Sequence, residues 1–495
     1  MIVRKSFRLL EAALFLALLW GAVTVVSNVL ERKASKIKYA PFLENPQQYD
    51  VLFIGDSHVY NGVFPMEMWD DYGIASYNIA CYGNTIPVSY WNMMLALDYV
   101  KPKLMVIGVK DVEKDYKLTG SSGDVHTALD AFPLSLTKIR AVQDLMSDPW
   151  AMDEGGNLFS DTRWEYIFKL GKYHSRWNEL EHSDFVYDLN GQKGAGMAVN
   201  VAVPDDYEIT DAYADEGGWG YVYLRRMIEE CQSRGIEVLL TQMPFPADED
   251  DQTHGNTVGS IAEEYGVNYV NFVSLDHAVD YSVDCYDSDS HLNPSGARKA
   301  TDYLGRYIMD HYDIPDRRVE AAYAHWEKEH DTYVGYKLEF LCGQQEHLKN
   351  LLMLLHDDDF SAAIALSEGS AVYDDDTLMN LMHNIVRDHV YEEDAYSRSS
   401  GELFPLEGLE EAYWDAQRYL MVADRPRGQT QEYAGEFPVR HEASFGVLHV
   451  DGENDAWTLQ RDGKEERFFE GAPEGWTLRA LVIDDRTGQA YPLQF

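Results

Sequence analysis

The sequence has few cysteines and few basic residues, and both shortages limit what the protein can be. Four cysteines in 495 residues are too few and too scattered for a disulfide framework or a zinc site. Lysine and arginine number 41 against 84 aspartates and glutamates, which gives a formal net charge of -43. So acidic a surface repels phosphate backbones, and we therefore expect no nucleic-acid partner. No HExxH, Walker or GxGxxG motif occurs, so the sequence requires neither a metal nor another cofactor.

Long apolar runs are also missing, except for one near the N-terminus. Residues 9–30 are long and apolar enough to cross a bilayer as a helix. Arg4, Lys5 and Arg8 precede the run, which favours a cytoplasmic N-terminus, although further basic residues follow it. There is no small-x-small cleavage site. We therefore expect residues 1–35 to form an uncleaved, single-pass anchor in the cell membrane, with the main domains on the extracytoplasmic side.

After the anchor, short apolar strands alternate with amphipathic helices. "YDVLFIGDS", "KLMVIGV" and "IEVLLTQMPF" are continuous apolar runs of strand length, whereas "YWNMMLALDYV" and "YVYLRRMIEECQSRG" have helical spacing. Continuous apolar strands are typical of a parallel sheet buried on both faces by helices. The sequence therefore predicts a three-layer α/β/α architecture.

Changes in composition divide the chain further. We predict an α/β domain at 45–315 with an insertion at about 111–215, a charged helical connector at 316–358 and an α+β or β-rich module at 359–495. Hairpins are expected around Asp462-Gly463 and Thr487-Gly488. The insertion contains one predicted helix, "RWEYIFKLGKYHSRWNEL". Its aromatic side chains would either stack on sugars or bury the insertion's own core, and the second alternative is favoured.

Three polar positions fall where strands end or a helix begins. Ser57 follows the first strand, Gly83 follows the second, and His291 lies just before Asn293, the expected N-cap of a helix. Ligands of an open parallel sheet gather at the carboxyl ends of its strands. A serine at that edge is a candidate nucleophile. His58 lies directly beside Ser57, so we expect it to have a structural or substrate-edge role rather than to act as the base.

A nucleophilic serine needs a neutral imidazole as base and a carboxylate to orient that imidazole. His291 can be the base, and Asp287 and Asp289 both lie close to it in "YDSDSHLN". The backbone N–H groups of Ser57 and Gly83 could bind the developing oxyanion, since glycine lets the backbone approach closely.

The blocks "FIGDSH", "ACYGNT" and "SDSHLNPSG", in this order on alternating α/β elements, resemble those of the SGNH/GDSL hydrolase family. The resemblance covers roughly residues 48–312. It implies a flavodoxin-like parallel sheet, with Ser57 as nucleophile, Gly83 as oxyanion donor and His291 as base.

The chain departs from that family in two places. The family's last block is Asp-x-x-His, but Ser288 occupies the acid's position, so the acid is Asp287 or Asp289, with Asp287 favoured weakly. The family's third block supplies an asparagine after the third strand. Here "VIGVKDVEKD" has none, and Lys110 stands at about that place. Either Lys110 or a residue of the insertion replaces this donor, or the activity is slow or specialised.

The resemblance implies a serine esterase or O-acyltransferase that acts on acyl esters, acetyl above all, of a cell-surface glycan or on small acyl esters. Membrane-anchored relatives that modify polysaccharides share this layout, and transfer would involve a membrane acyl-donor protein as partner. The alternative is a catalytically weakened SGNH scaffold that binds glycan or partner proteins. The missing asparagine motivates this alternative.

Overall fold

The structure is a computed structural model. It describes residues 2–118, 121–147, 161–187, 192–205, 207–275, 278–288, 291–387, 418–435, 437–451, 456–471 and 476–495. The chain forms two compact units. The first comprises Met1–Gly196, Tyr207–Ser274 and Ala300–Trp326, and the second comprises Met197–Asp206, Leu275–Lys299 and Glu327–Phe495. The domain boundaries expected from composition stay a prediction.

Helices and strands alternate along the first unit, and strands dominate the end of the second. The helices are α1 (Ile2–Leu30), α2 (Ala34–Glu44), α3 (Ser57–Gly62), α4 (Pro65–Tyr72), α5 (Ile86–Ala96), α6 (Ser122–Leu129), α7 (Leu136–Leu145), α8 (Arg163–Ile167), α9 (Lys169–Tyr173), α10 (Gly218–Ser233), α11 (Glu249–Tyr265), α12 (Pro294–His311), α13 (His325–Cys342), α14 (Leu348–Leu354) and α15 (Asp376–Arg387). The strands are β1 (Val51–Ile54), β2 (Ser76–Asn78), β3 (Leu104–Gly108), β4 (Glu237–Gln242), β5 (Asn268–Asn271), β6 (Phe360–Leu366), β7 (Tyr419–Asp424), β8 (Gln429–Ala434), β9 (Val439–Ala443), β10 (Gly446–Val450), β11 (Trp457–Arg461), β12 (Lys464–Phe469), β13 (Leu478–Asp484) and β14 (Ala490–Gln494).

A five-stranded parallel sheet forms the centre of the first unit, in the order β2-β1-β3-β4-β5. Every residue of β1 and β3 is buried, as expected for parallel strands covered on both faces. The predicted parallel sheet is confirmed, and the fold is mixed α/β.

The second strand is shorter than its sequence indicates. Residues 76–84 read as one strand, but β2 ends at Asn78. The Asn78 side chain accepts a hydrogen bond from the Ala80 N–H at 3.1 Å and donates to the Val59 and Val63 carbonyls at 2.8 and 3.1 Å. The Asn78 side chain thus takes backbone partners outside the sheet at the point where the regular ladder ends.

Helix α1 carries the apolar segment. Leu10–Leu30 has a mean hydropathy of 2.1, and the helix is long and apolar enough to span a membrane or to be a signal sequence. Most of its large apolar side chains are exposed.

The insertion contains α6 and α7, which the sequence did not predict, and the one helix that it did predict is divided into two short ones. Helix α8 ends and α9 begins on either side of Phe168, whose φ of -125° and ψ of 84° are not helical. Tyr166 and Tyr173 are buried, in agreement with the prediction that aromatic side chains form a core here. Trp164 and Trp177, however, are 73% and 72% exposed.

Two antiparallel sheets make up the C-terminal part of the second unit, in the orders β14-β13-β6-β7-β8 and β12-β11-β10-β9. Their apolar side chains share one buried cluster, which includes Leu420, Leu448, Trp457 and Leu481. Both predicted hairpins are confirmed, since β11 pairs with β12 and β13 with β14. Asp462 and Gly463 have φ values of 51° and 72°, which a tight two-residue turn requires.

Candidate active site

Ser57 is the first residue of α3, which begins almost directly after β1. Asp56 caps this helix, because its Oδ1 accepts the His58 backbone N–H at 3.2 Å. Its Oδ2 lies 2.6 Å from Nδ1 of His58. The His58 ring is buried and packs edge-on against Phe245, with 5.2 Å between ring centroids. His58 therefore stabilises the start of the helix that carries Ser57.

Two glycines allow α3 to pack on the ends of the central strands. A Cβ on Gly55 would lie 2.7 Å from Cγ2 of Val59, and a Cβ on Gly108 would also collide with that methyl group. Gly55 follows β1 and Gly108 ends β3, so Val59 sits over both strand ends. Any larger residue at either glycine would lift α3 and displace Ser57 from the carboxyl edge of the sheet.

The Gly83 segment is bonded to the same strand end. The Cys81 N–H donates to the Gly55 carbonyl at 3.2 Å, and Nδ2 of Asn84 donates to it at 3.4 Å. Thr85 then caps α5 by accepting the Val88 N–H at 3.3 Å. The structure thus brings the Ser57 and Gly83 segments together.

Gly83 has a φ of +61°, in the left-handed region that favours glycine. A Cβ at this position would lie 2.7 Å from Oδ2 of Asp124, which belongs to α6. Asp124 could not be found from the sequence, because it lies in the insertion, 41 positions further along the chain, and no local pattern marks it. A carboxylate so close to a proposed oxyanion donor influences the charge that the site can stabilise.

Lys110 lies two positions after β3. Its Nζ is 2.5 Å from Oδ1 of Asp251, 3.6 Å from Oδ1 of Asp111 and 4.4 Å from the Phe245 ring centroid. Burial disfavours the ammonium ion, but the carboxylates of Asp111 and Asp251 outweigh this effect and raise the pKa of Lys110. Lys110 is therefore a cation at neutral pH. Since Phe245 also contacts His58, this cation lies near the start of α3.

His291 and Asp287 form the second half of the predicted constellation. Oδ1 of Asp287 accepts the His291 backbone N–H at 3.0 Å, and its Oδ2 lies 2.5 Å from the ring Nδ1. The Tyr286 N–H donates to the His291 carbonyl at 2.8 Å. A neutral imidazole held in this way carries its proton on Nδ1 and presents Nε2 as the basic nitrogen. Asp289, the other candidate, lies outside the described residues.

The loop that carries this pair is fixed at its base. The predicted N-cap Asn293 accepts the Gly296 N–H at 3.2 Å, and its Nδ2 donates to the Val283 and Cys285 carbonyls at 2.7 and 3.2 Å. The Asn293 N–H donates to the Asp284 carbonyl at 2.9 Å. The two backbone segments at the base of the loop are therefore hydrogen-bonded to each other.

A buried ion pair lies beneath this loop. Oδ2 of Asp284 is 2.7 Å from Nζ of Lys299, and its Oδ1 accepts the Ser295 hydroxyl at 2.7 Å. Nζ of Lys299 also donates to Oδ1 of Asn384 at 2.9 Å. None of these residues could be found from the sequence, because the fold rather than a local motif brings the members of a buried ion pair together.

The predicted site residues are thus divided between the two units. Ser57, Gly83 and Lys110 belong to the first unit, and Asp287 and His291 belong to the second. The structure shows three positions at one strand edge in the first unit and an imidazole–carboxylate pair in the second.

Comparisons with known proteins do not assign the chain to a family. No protein-family model matches it, and no curated protein matches it. One similar solved structure is that of a "putative acylhydrolase" from Bacteroides fragilis NCTC 9343, at 11% sequence identity and a TM-score of 0.26, covering 57% of this chain and 98% of that one. A likeness of this extent carries no argument about function.

Proposed function

We propose that the protein is a membrane-anchored serine esterase or O-acyltransferase of the SGNH type. The observation that carries this proposal is the pair of His291 and Asp287, which leaves Nε2 of the imidazole as a base. Its partner in the proposal is Ser57 at the start of α3. That the Ser57 hydroxyl lies within hydrogen-bond reach of the His291 ring is itself part of the proposal.

The order of the parallel strands supports the proposal. An order of 2-1-3-4-5 is that of flavodoxin-like sheets, whose ligands bind where the order reverses, between β1 and β3. Ser57 follows β1 and Lys110 follows β3. Both therefore lie at the edge where a flavodoxin-like sheet binds its ligand.

In the proposed reaction, Nε2 of His291 removes the Ser57 proton as Oγ attacks the acyl carbonyl. The N–H groups of Ser57 and Gly83 bind the oxyanion, and the Lys110 cation adds electrostatic stabilisation. Collapse of the tetrahedral intermediate expels the alcohol, which takes the proton from His291, and leaves an acyl-enzyme on Ser57. Water or a glycan hydroxyl then gives a proton to His291 and attacks the acyl group. This step releases the acid or the acylated glycan and restores Ser57.

The proposed substrate is an acyl ester, acetyl above all, of a cell-surface glycan, and transfer would take the acyl group from a membrane acyl-donor protein. The enzyme would be held by α1 in the cell membrane, with both units on the extracytoplasmic side. Mass measurement of candidate glycans after incubation with an acyl donor separates transfer from hydrolysis.

Covalent labelling and ester hydrolysis test the proposal together. We expect the purified full chain to react with a fluorophosphonate and to cleave p-nitrophenyl acetate. Ser57→Ala should abolish both reactions, and His291→Ala should reduce both by orders of magnitude. Wild-type rates in Ser57→Ala and His291→Ala would refute it.

A non-catalytic scaffold that binds glycan is the second candidate function. Asp251 and Asp111 already contact the Lys110 ammonium group, and the family's third-block asparagine is absent. Glycan binding without fluorophosphonate labelling of Ser57 would favour this scaffold over the enzyme.

A further inference from the structure

Hydrogen bonds and ion pairs join the C-terminal end of α1 to the insertion. Nη1 of Arg176 donates to the Leu30 carbonyl at 2.6 Å, and Lys169 forms an ion pair with Glu31. Nη2 of Arg176 also binds both carboxylate oxygens of Asp184, at 3.0 Å each. Arg176, Asp184 and Glu31 are all buried. The apolar helix is therefore fixed to the folded insertion by a buried charged network rather than joined to it by a flexible tether.

Exposed aromatic side chains stand next to the three residues that the insertion contributes to this network. Phe168 precedes Lys169, Trp177 follows Arg176 and Phe185 follows Asp184. These three side chains are exposed, as is Trp164, whose carbonyl accepts the Phe168 N–H at 2.7 Å. Tyr166 and Tyr173 of the same segment are buried instead.

We infer that this aromatic surface, formed by Trp164, Phe168, Trp177 and Phe185, inserts into the interfacial layer of the bilayer that α1 enters. Leu30 ends the apolar run, so it marks the depth at which hydrocarbon gives way to headgroups.

Adjacent Cα atoms are about 3.8 Å apart, so side chains next to the α1 anchors lie near that depth. Tryptophan is enriched at this level, because its ring is apolar and its N–H is polar. The contact would fix the orientation of the first unit above the membrane. The inference goes beyond the acyl chemistry and depends only on α1 entering a lipid bilayer.

Fluorescence quenching by brominated lipid tests this inference on the full chain in nanodiscs. Trp20 lies within α1, about 15 Å from Leu30 along the helix, so its quenching by lipid brominated near the acyl-chain ends reports entry of that helix. In a Trp20→Phe variant, we expect lipid brominated near the headgroup to lower the emission by at most about a fifth, since two of the ten remaining tryptophans would face lipid. Trp164→Phe and Trp177→Phe, added together, should remove this quenching.

Each other outcome overturns the inference. If Trp20→Phe protein is not quenched, or if quenching persists after both further substitutions, the aromatic surface does not contact lipid. If Trp20 in the wild type is not quenched, α1 itself does not enter the bilayer. None of these results bears on the proposed role of Ser57, because ester hydrolysis is measured separately. Phenylalanine keeps the exposed positions aromatic, and matching circular dichroism spectra would show that the fold is preserved.

Discussion

Asp287 accepts two hydrogen bonds from His291, one from the backbone N–H at 3.0 Å and one from ring Nδ1 at 2.5 Å. One carboxylate thus closes the turn and fixes the imidazole that the turn carries. Under the proposed function, Asp287 would orient the imidazole although it lies one position from the acid of the SGNH pattern.

Asp287→Asn should lower kcat for p-nitrophenyl acetate by about 10³- to 10⁴-fold, because an amide allows the wrong imidazole tautomer. We expect KM to change little, since the geometry of the turn is kept. Asp289→Asn is the matched control and should remain within a few-fold of the wild type. A larger loss in Asp289→Asn than in Asp287→Asn would assign the orienting role to the other aspartate.

Gly83→Ala should lower kcat/KM by about 10²-fold, the effect of losing one oxyanion donor. The new methyl group would displace either the Asp124 carboxylate or the Gly83 N–H. Gly266→Ala is the matched control, because Gly266 has a similar φ of +63° and no atom within 4 Å of the added Cβ. Both variants should lose about 1–2 kcal/mol of unfolding free energy, but only Gly83→Ala should lose activity. Wild-type kcat/KM in Gly83→Ala would exclude Gly83 as a donor.

The parallel sheet could be predicted from sequence because burial on both faces leaves a direct compositional trace. All four residues of β1 and all five of β3 are apolar or glycine, so neither strand alternates. The hairpin at Asp462-Gly463 was equally predictable, since positive φ at both positions restricts the residue types.

Features that depend on distant contacts could not be predicted in this way. The side chain of Asn78, where β2 ends, binds carbonyls of the α3 region, which no window around residue 78 contains. The predicted helix of the insertion breaks at Phe168, which is neither a glycine nor a proline, so no breaker residue marks the position. The approach of Asp124 to Gly83 likewise depends on how the insertion folds back over the sheet edge.

Lys299→Met should lower the unfolding free energy by about 3–5 kcal/mol, because it leaves Asp284 as a buried, uncompensated charge. The two side chains are 3% and 0% exposed. Arg306→Met, on the same helix, removes an exposed pair with Asp302 and should cost less than about 1 kcal/mol. Urea unfolding measures both changes, and faster hydrogen exchange in residues 278–288 would locate the loss at the His291 loop. Equal effects of the two substitutions would show that Asp284 does not depend on Lys299.

Asp485→Asn should change how the stability of the second unit depends on pH. Burial raises the pKa of the Asp485 carboxyl to about 7, and the charge of Asp424 acts in the same direction. An unfolded aspartate has a pKa of about 3.9, so the folded chain holds this proton more tightly. Wild-type stability should therefore fall as pH rises from about 4 to about 7, and the loss is complete above that window.

Asparagine cannot ionise, so the stability of the Asp485→Asn chain relative to the wild type should be greater at pH 8 than at pH 5. Thermal unfolding at the two pH values measures this difference. Asp462→Asn, an exposed aspartate in the other hairpin turn, is the matched control and should show no such gain. A stability difference between Asp485→Asn and the wild type that is the same at both pH values would mean that Asp485 is already ionised at pH 5.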